Sequence, residues 1–460
     1  MPVIPVQYES LKAILPYMNP NKRFQISLRI PSISSLESRL PLKIKNLTFS
    51  QIDTKVNEVS YRLGVHRDYG RNEPPPDALL INQGGGSPDD IDQYGVFIYP
   101  GENNVLPGDI DLRIRIQQYD RFITDEEEQN LVHDLRIFKI LLAERLNQEY
   151  IEDNETRNAV VGGPWNAFIE IKYREIVMNR SVEFIQSWIQ LLRNRLSGFT
   201  NRRNNQNRPY TPWIQLSVYS PNEITIQRVA YNKYIYQAKK AVHSKLFGNR
   251  GSSISVKNLK IELPNQILRF PATTILKIEN LEVVRWNSLA FERFKNIIHS
   301  SSLPIRQLKV SSIISTDDFR HTVAREAKIL IINNLTTEND SWTPILQSLP
   351  NERVCLMNEN ERVPPNDYMD LIENWLESGR PVGTTFLLGI KNEETVKQCL
   401  DNLRQRQEVI GSSEKKVQLR INALLMLEVS YEMIKRHGRL LRDDQSKWWL
   451  RLAVVPGRYD

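Results

Sequence analysis

The stretch KNLKIELPNQILRFPATTILKIENLEV, residues 257–283, decides how the C-terminal half of this chain folds. It carries an apolar–any–apolar pattern at Leu259/Ile261 and again at Leu276/Ile278. The same pattern returns at Leu308/Val310, Leu330/Ile332, Val354/Leu356 and Phe386/Leu388. Side chains two residues apart share one face of a strand, so each pair marks a strand core. The first members are spaced by 17, 32, 22, 24 and 32 residues. Helical patterns fit most of the intervals, at 288–299, 317–325, 342–349, 367–377 and 393–404. A strand and a helix in roughly 20 to 30 residues is the period of a leucine-rich repeat. The expected fold is therefore α/β, with an irregular leucine-rich-repeat-like β/α solenoid at 251–410 whose strands stack into one parallel sheet. The shortest interval has no room for a helix, and the Asn ladder of that repeat is weak. An ordinary α/β domain with helices on both faces is the alternative.

Upstream the pattern changes. Residues 1–45 predict a small helical segment, in which Tyr8, Leu11, Ile14, Leu15 and Met18 fall near one face and Pro16 shortens the first helix. A mixed α+β region is expected over 46–250, with long loops at 72–101 and 197–210. Its strands are expected at Leu47–Phe49, 56–65, 112–116, 167–173 and Trp213–Val218. Its helices are expected at 125–147, N-capped by Thr124, at 178–196, and at 232–247 before Gly248. The acidic run Asp125–Glu128 reads as a charge cluster at a helix start. Residues 411–460 are expected to form a β-rich cap on the last sheet edge, with a turn at His437-Gly438-Arg439.

Composition bounds the function. The 460 residues are 40% hydrophobic and 25% charged, the balance of a globular chain. No stretch approaches the roughly 18 apolar residues that cross a bilayer, and the first twenty lack the apolar run of a signal peptide. A cytoplasmic protein without a membrane partner is expected, with the nucleus as the other compartment. Cys355 and Cys399 are too few for a disulfide framework or a cysteine-only metal cluster. The net charge of +7 is small for this length. Its most conspicuous basic run is RNRLSGFTNRRNNQNR at 193–208, with five Arg, five Asn and no acid. One reading is a solvated loop, since Asn and Gly disfavour regular structure. The other is a nucleic-acid arm in which Arg193, Arg195, Arg202, Arg203 and Arg208 neutralise phosphates.

Constellations that carry chemistry are missing from the sequence pattern. Gly84-Gly85-Gly86 leads to Ser-Pro-Asp, without the Lys of a phosphate-cradling loop. Asp90-Ile91-Asp92-Gln93-Tyr94-Gly95 imitates the start of a calcium loop, but Tyr94 stands where an oxygen ligand belongs and Gly101 where the bidentate Glu should be. An Asp-rich turn is the better reading. The six histidines show no metal-ligand spacing. Neither a catalytic residue nor a cofactor is expected, and an enzyme built from distant residues stays open as a third reading.

The opening PVQYESLKAILPYMNPNKRFQISLRIPSISSLE, together with Tyr61–Val65, Gly85–Gly95, Pro107–Ile110, Tyr231–Gly248 and Val256–Leu259, resembles a nematode-expanded family of F-box-associated-like proteins carrying a domain of unknown function. Tyr368–Leu376, a helix ending in a Trp, and Ile434–Arg439 are similar to the nematode F-box-associated domain. An F-box is a short helical module that docks on the linker subunit of a cullin-type ubiquitin ligase. Residues 5–30 are similar to it at Pro5, Leu11, Ile14, Leu15, Tyr17, Met18, Pro20, Phe24 and Ile26–Leu28. They depart from it at Pro16, at Lys22-Arg23, where an apolar residue is usual, and in a third helix without its aromatic anchor. The resemblance implies a non-enzymatic substrate adaptor, in which Leu11, Ile14, Leu15 and Phe24 bury against the linker subunit and the solenoid presents a surface to an unknown substrate. The alternative is that these residues cap the chain's own fold.

Overall fold

Three chain segments, Met1–Asn57, Gly108–Ile114 and Leu246–Asp460, build one unit of the computed structural model, and Glu58–Pro107 with Arg115–Lys245 build a second. The structure describes residues 8–113, 125–157, 171, 173–175, 177, 179–285, 287–311, 316–333, 342–357, 368–434 and 447–457.

The first segment folds as helices α1 (Tyr8–Ile14), α2 (Pro20–Arg29) and α3 (Pro31–Arg39) and strands β1 (Lys43–Ser50) and β2 (Asp53–Val56). The second unit follows with β3 (Val59–Asp68), α4 (Pro76–Gln83), β4 (Asp90–Ile91) and β5 (Phe97–Ile98). Strand β6 (Ile110–Asp111) belongs to the first unit again. Next come α5 (Asp125–Arg145), α6 (Val182–Arg203), β7 (Thr211–Tyr219), β8 (Ile224–Ala230) and α7 (Ile235–Phe247). The chain then continues through β9 (Ile254–Glu262), β10 (Ile267–Leu268), β11 (Leu276–Val284), α8 (Ser288–Phe294), β12 (Gln307–Ser311), α9 (Thr322–Glu326), β13 (Ile329–Asn333), α10 (Thr343–Ser348), β14 (Arg353–Met357), α11 (Tyr368–Ser378), β15 (Thr385–Ile390) and α12 (Glu393–Arg404). It ends in β16 (Val409–Ser413), β17 (Lys416–Arg420), β18 (Leu425–Met433) and β19 (Trp448–Pro456).

The first unit is mixed α/β around a large mixed sheet, in the order β16-β17-β18-β19-β15-β14-β13-β12-β11-β9-β1-β2. Strands β9, β11, β12, β13, β14 and β15 are parallel neighbours in chain order, and each contains one of the six apolar pairs. The sheet is not a stack of repeats alone. Strand β1 pairs in parallel with β9, and β19 closes the other side of the run antiparallel to β15.

The register corrects one of the six pairs. Leu259 stands opposite Leu281, and Leu281 opposite Leu308, so the rung in β11 is Leu281/Val283 and not Leu276/Ile278. That choice evens out the first two intervals. β11 is long enough to hold both pairs, with Leu276 and Ile278 opposite Ile254 and Val256. Along the sheet the rungs read Leu47/Phe49, Leu259/Ile261, Leu281/Val283, Leu308/Val310, Leu330/Ile332, Val354/Leu356 and Phe386/Leu388. All are buried except the half-buried Val283.

A seven-residue repeat lies under the first three rungs: KIKNLTF at 43–49, SVKNLKI at 255–261 and KIENLEV at 277–283. In each copy two residues, not one, separate buried Ile44, Val256 or Ile278 from buried Leu47, Leu259 or Leu281. The alternation therefore breaks at the same place in three neighbouring strands. Asn46, Asn258 and Asn280 stand opposite one another at the break. The Asn258 side-chain amide donates to Asn46 Oδ1 at 2.8 Å, and the Asn280 amide donates to Asn258 Oδ1 at 2.8 Å. Asn57 Oδ1 accepts from the backbone N–H groups of Lys45 and Asn46, both at 3.0 Å.

Buried ion pairs join the three segments. Arg23 and Arg250 both meet the Glu37 carboxylate at 2.9 Å, with all three side chains buried. Arg23 also donates to the carbonyl oxygens of Pro41, Glu37 and Leu40. Arg269 pairs with buried Asp109 at 2.6 Å. Beside it Gly108 has φ +83, and a Cβ there would stand 2.3 Å from the Ala272 Cα, so only glycine fits. Phe24, Phe49, Phe247 and Phe270 pack edge-on and stacked around the same core, with ring centroids 5.7 to 6.2 Å apart. Helix α1 stops at Ile14, and Leu15–Tyr17 form a 3-10 turn, the shortening that Pro16 demands.

In the second unit β3, β7 and β8 form an antiparallel sheet, and α5 packs against α6 through Leu135, Phe138, Leu141, Ile185, Ile189 and Leu192. Several expectations change here. The Arg/Asn run is helix as far as Arg203, because Leu192, Leu196 and Phe199 continue the apolar stripe and Arg is a good helix former. The loop expected at 197–210 shrinks to the residues after Arg203. The loop at 72–101 contains α4, β4 and β5. The strand expected at 112–116 is instead β6 at Ile110–Asp111, with 114–116 outside the described residues. Residues 171 and 173 are helical where a strand was expected, and 167–170 lie outside the described residues. Thr124 and the turn at 437–439 also lie outside them. Strand β8 was not among the expected strands; its Ile224, Ile226 and Val229 are all exposed.

The central rung of the Asn ladder makes two amide hydrogen bonds and its C-terminal neighbour one. Asn258→Ala is expected to cost about 1–3 kcal/mol in urea unfolding, and Asn280→Ala less. Losses below about 0.5 kcal/mol for both variants would show that the ladder adds nothing to strand pairing.

Candidate binding site

A cleft in the second unit is lined by Arg67, Tyr69, Asp77, Phe97, Arg195 and Tyr210, with Ile81, Tyr94 and the α6 residues Leu191, Asn194, Gly198 and Asn201 around them. It leaves about 100 Å³ of free volume. Arg67 sits on the inward phase of β3, after Val59, Tyr61, Leu63 and Val65. A cation on the apolar side of a strand needs an internal partner. Its guanidinium lies 5.2 Å from the Phe97 ring centroid and 5.3 Å from that of Tyr210. Its Nε and Nη2 have no hydrogen-bond partner. The Asn82 side chain at the end of α4 holds the Arg67 backbone at both ends, accepting from its N–H at 3.0 Å and donating to its C=O at 2.8 Å.

Helix α6 forms the opposite wall. Gly198 lets it approach the 94–97 turn, where a Cβ would stand 3.0 Å from the Gly95 carbonyl carbon and the Val96 nitrogen. Arg195 lies 5.5 Å from the Phe97 centroid, pairs through Nη2 with Glu127 at 3.2 Å, and leaves its Nε without a partner. Asp77 accepts from the Asn194 amide. Burial pushes the Tyr69 phenol up to about 12 and the Tyr210 phenol upward, so both stay protonated at neutral pH.

The Asp-rich turn is a structural device. Asp92 Oδ1 accepts from the N–H groups of Tyr94 and Val96 at 2.9 Å, and its Oδ2 meets Arg202 at 2.6 Å. Asp90 Oδ1 accepts from the Tyr231 hydroxyl at 2.7 Å and from the Ile235 N–H at 2.8 Å, so it caps the start of α7. Among the described residues no group of three or more His, Cys, Asp or Glu could hold a metal ion. Neither Cys355 nor Cys399 forms a disulfide, and burial pushes the Cys355 thiol up to about 11. Among the described residues no helix is long and apolar enough to cross a membrane.

The five arginines of the basic run are all engaged within the chain. Arg193 meets Glu155 at 3.0 Å, Arg195 meets Glu127, Arg202 meets Asp92, and Arg203 meets Glu128. Arg208 donates to the Asp92 carbonyl at 2.6 Å. The acids that start α5 thus answer part of the basic run. Only Arg195 of the five enters the cleft. Of the four expected docking residues, Leu15 and Phe24 are buried in the chain's own core, Leu11 is half-buried, and Ile14 is exposed. Sequence reasoning missed Arg67, Tyr69, Phe97 and Tyr210. The available signal was Arg67 on the apolar phase of its strand.

A family model described as a domain of unknown function (DUF3557) matches residues 234–392, from the start of α7 to the end of β15. No curated protein and no solved structure matches the chain.

Asp90 gives the second unit a pH signature. Burial raises its carboxyl to about 6 against the lowering pull of its two donors, well above the 3.8 of a free Asp. The native state therefore holds this proton more tightly than the unfolded chain does. The resulting stability is full below pH 4 and is lost as pH rises through 6. Denaturation of wild type and Asp90→Asn at pH 4, 5, 6 and 7 should show the wild type losing on the order of 2–3 kcal/mol relative to the variant across that window. Parallel pH profiles would contradict this.

Proposed function

We propose that this chain is a non-enzymatic protein-interaction module, an F-box-like substrate adaptor of a cullin-type ubiquitin ligase. One observation carries the proposal: the N-terminal helical segment has an inner side and an outer apolar set. Leu15, Arg23 and Phe24 are buried in the core. Ile14, Tyr17, Leu28 and Ile30 are 52%, 91%, 49% and 45% exposed. Four large apolar side chains left in solvent along one short helical segment are the composition of a docking surface. In this reading Leu11 and Ile14 from the expected set act with Tyr17, Leu28 and Ile30. Leu15 and Phe24 hold the segment in place instead of touching a partner. Arg23, which departs from the F-box pattern, is explained the same way, as the buried partner of Glu37. The repeat-like run at 251–410, read as an irregular leucine-rich-repeat-like solenoid, supplies the second surface, for the substrate.

The test is co-purification of the full chain with the linker subunit. Wild type should retain it, and Ile14→Asp combined with Leu28→Asp should weaken retention at least about tenfold without a large fall in melting temperature. Leu15→Asp should instead unfold the protein. Absence of retention by wild type, or full retention by the double variant, removes the adaptor reading.

A further inference from the structure

We propose that the cleft of the second unit is an oxyanion site, where the Arg67 guanidinium, with Arg195 beside it, binds the phosphate or carboxylate group of a small ligand. This goes beyond the adaptor reading and does not depend on it.

Arg67 is 7% exposed, yet two of its guanidinium nitrogens have no hydrogen-bond partner. A buried charged donor left unmade is costly, and native structures retain few of them. The Phe97 and Tyr210 rings stabilise the cation through their faces but cannot accept its in-plane N–H groups. A second guanidinium, that of Arg195, lies near the same Phe97 ring and also has a free Nε. The acids around the cleft have other duties: Asp77 accepts from Asn194, and Glu127 is held by Arg195 Nη2.

The vacant donors therefore suit an acceptor from outside the chain. A planar fork of N–H groups matches phosphate and carboxylate oxygens, and the free volume is on the scale of such a head group. The protonated Tyr69 and Tyr210 hydroxyls would donate to an anion and not repel it. The backbone that carries the fork is also fixed in advance, because Asn82 clamps it at the Arg67 N–H and C=O.

Isothermal titration of the full chain with inorganic phosphate, and separately with acetate, tests the assignment. Saturable binding of phosphate alone identifies a tetrahedral oxyanion, and of acetate alone a carboxylate; either supports the site. Arg67→Lys keeps the charge but loses the fork, and should weaken binding at least about tenfold. Arg195→Gln should weaken it too, whereas Arg193→Gln, which meets Glu155 away from the cleft, should leave it unchanged. Circular dichroism melts report whether each variant folds, and Arg195→Gln carries the test if Arg67→Lys does not. No saturable heat with either anion, or undiminished binding in a folded Arg67→Lys or Arg195→Gln, overturns the proposal.

Discussion

The amide ladder Asn46–Asn258–Asn280 is the constraint on which the first unit depends. Strands read by their apolar residues alone could slide, and a slip of one residue would turn Leu47 and Phe49 out of the core. The ladder penalises a slip of one residue, because each amide would face a Leu, a Lys or a Glu in place of another Asn. It also occupies the place where the in–out alternation of β1, β9 and β11 breaks together. A polar residue there must be satisfied sideways, and its counterpart in the neighbouring strand does so. Once β1 is fixed against β9 in this way, the parallel run continues rung by rung to β15, where antiparallel β19 ends it.

Charge buried at the joins has a similar logic. The unit is assembled from three separated segments, and each of the two shorter ones is tied to the long one by an internal ion pair. Such pairs are poor sources of net stability, since desolvation offsets most of their attraction, but losing one partner typically costs about 3–5 kcal/mol. They therefore act chiefly against wrong arrangements: a mispaired segment would strand a guanidinium or a carboxylate away from water. Glu37, shared by two arginines that also donate to nearby backbone carbonyls, holds the helical segment in one position.

Much of this architecture was legible in the sequence. Period-two pairs located every strand of the parallel run, because buried central strands leave little freedom in residue choice. Their register was less legible. In β11 two apolar pairs fit equally well, and only the neighbouring strands select Leu281/Val283. The Asn-Leu repeat recurs at 46–47, 258–259 and 280–281 but not in the later strands of the run, so as the Asn ladder of a leucine-rich repeat it reads as weak. The Arg/Asn run misled because residue counting weighs Asn and Gly as breakers, whereas Leu192, Leu196 and Phe199 outweigh them once packed on α5. The cleft was hidden for another reason. Arg67, Phe97, Arg195 and Tyr210 come from four separate stretches, and no local spacing reports such a meeting.

The β1–β9 pairing has a temporal meaning as well. Asn46 and Asn258 are 212 positions apart, so on the ribosome β1 emerges long before its partner exists. Until residue 262 is synthesised, its apolar face and edge stay without the neighbour that completes them, and contacts of such separation form late. The intervening second unit has its own antiparallel strands and its own helix-packed core. It can fold during that wait, shortening the effective loop that β1 must close. The order of synthesis thus favours an assembly in which the unit inserted in the chain forms first and the β1–β9 pairing is made last.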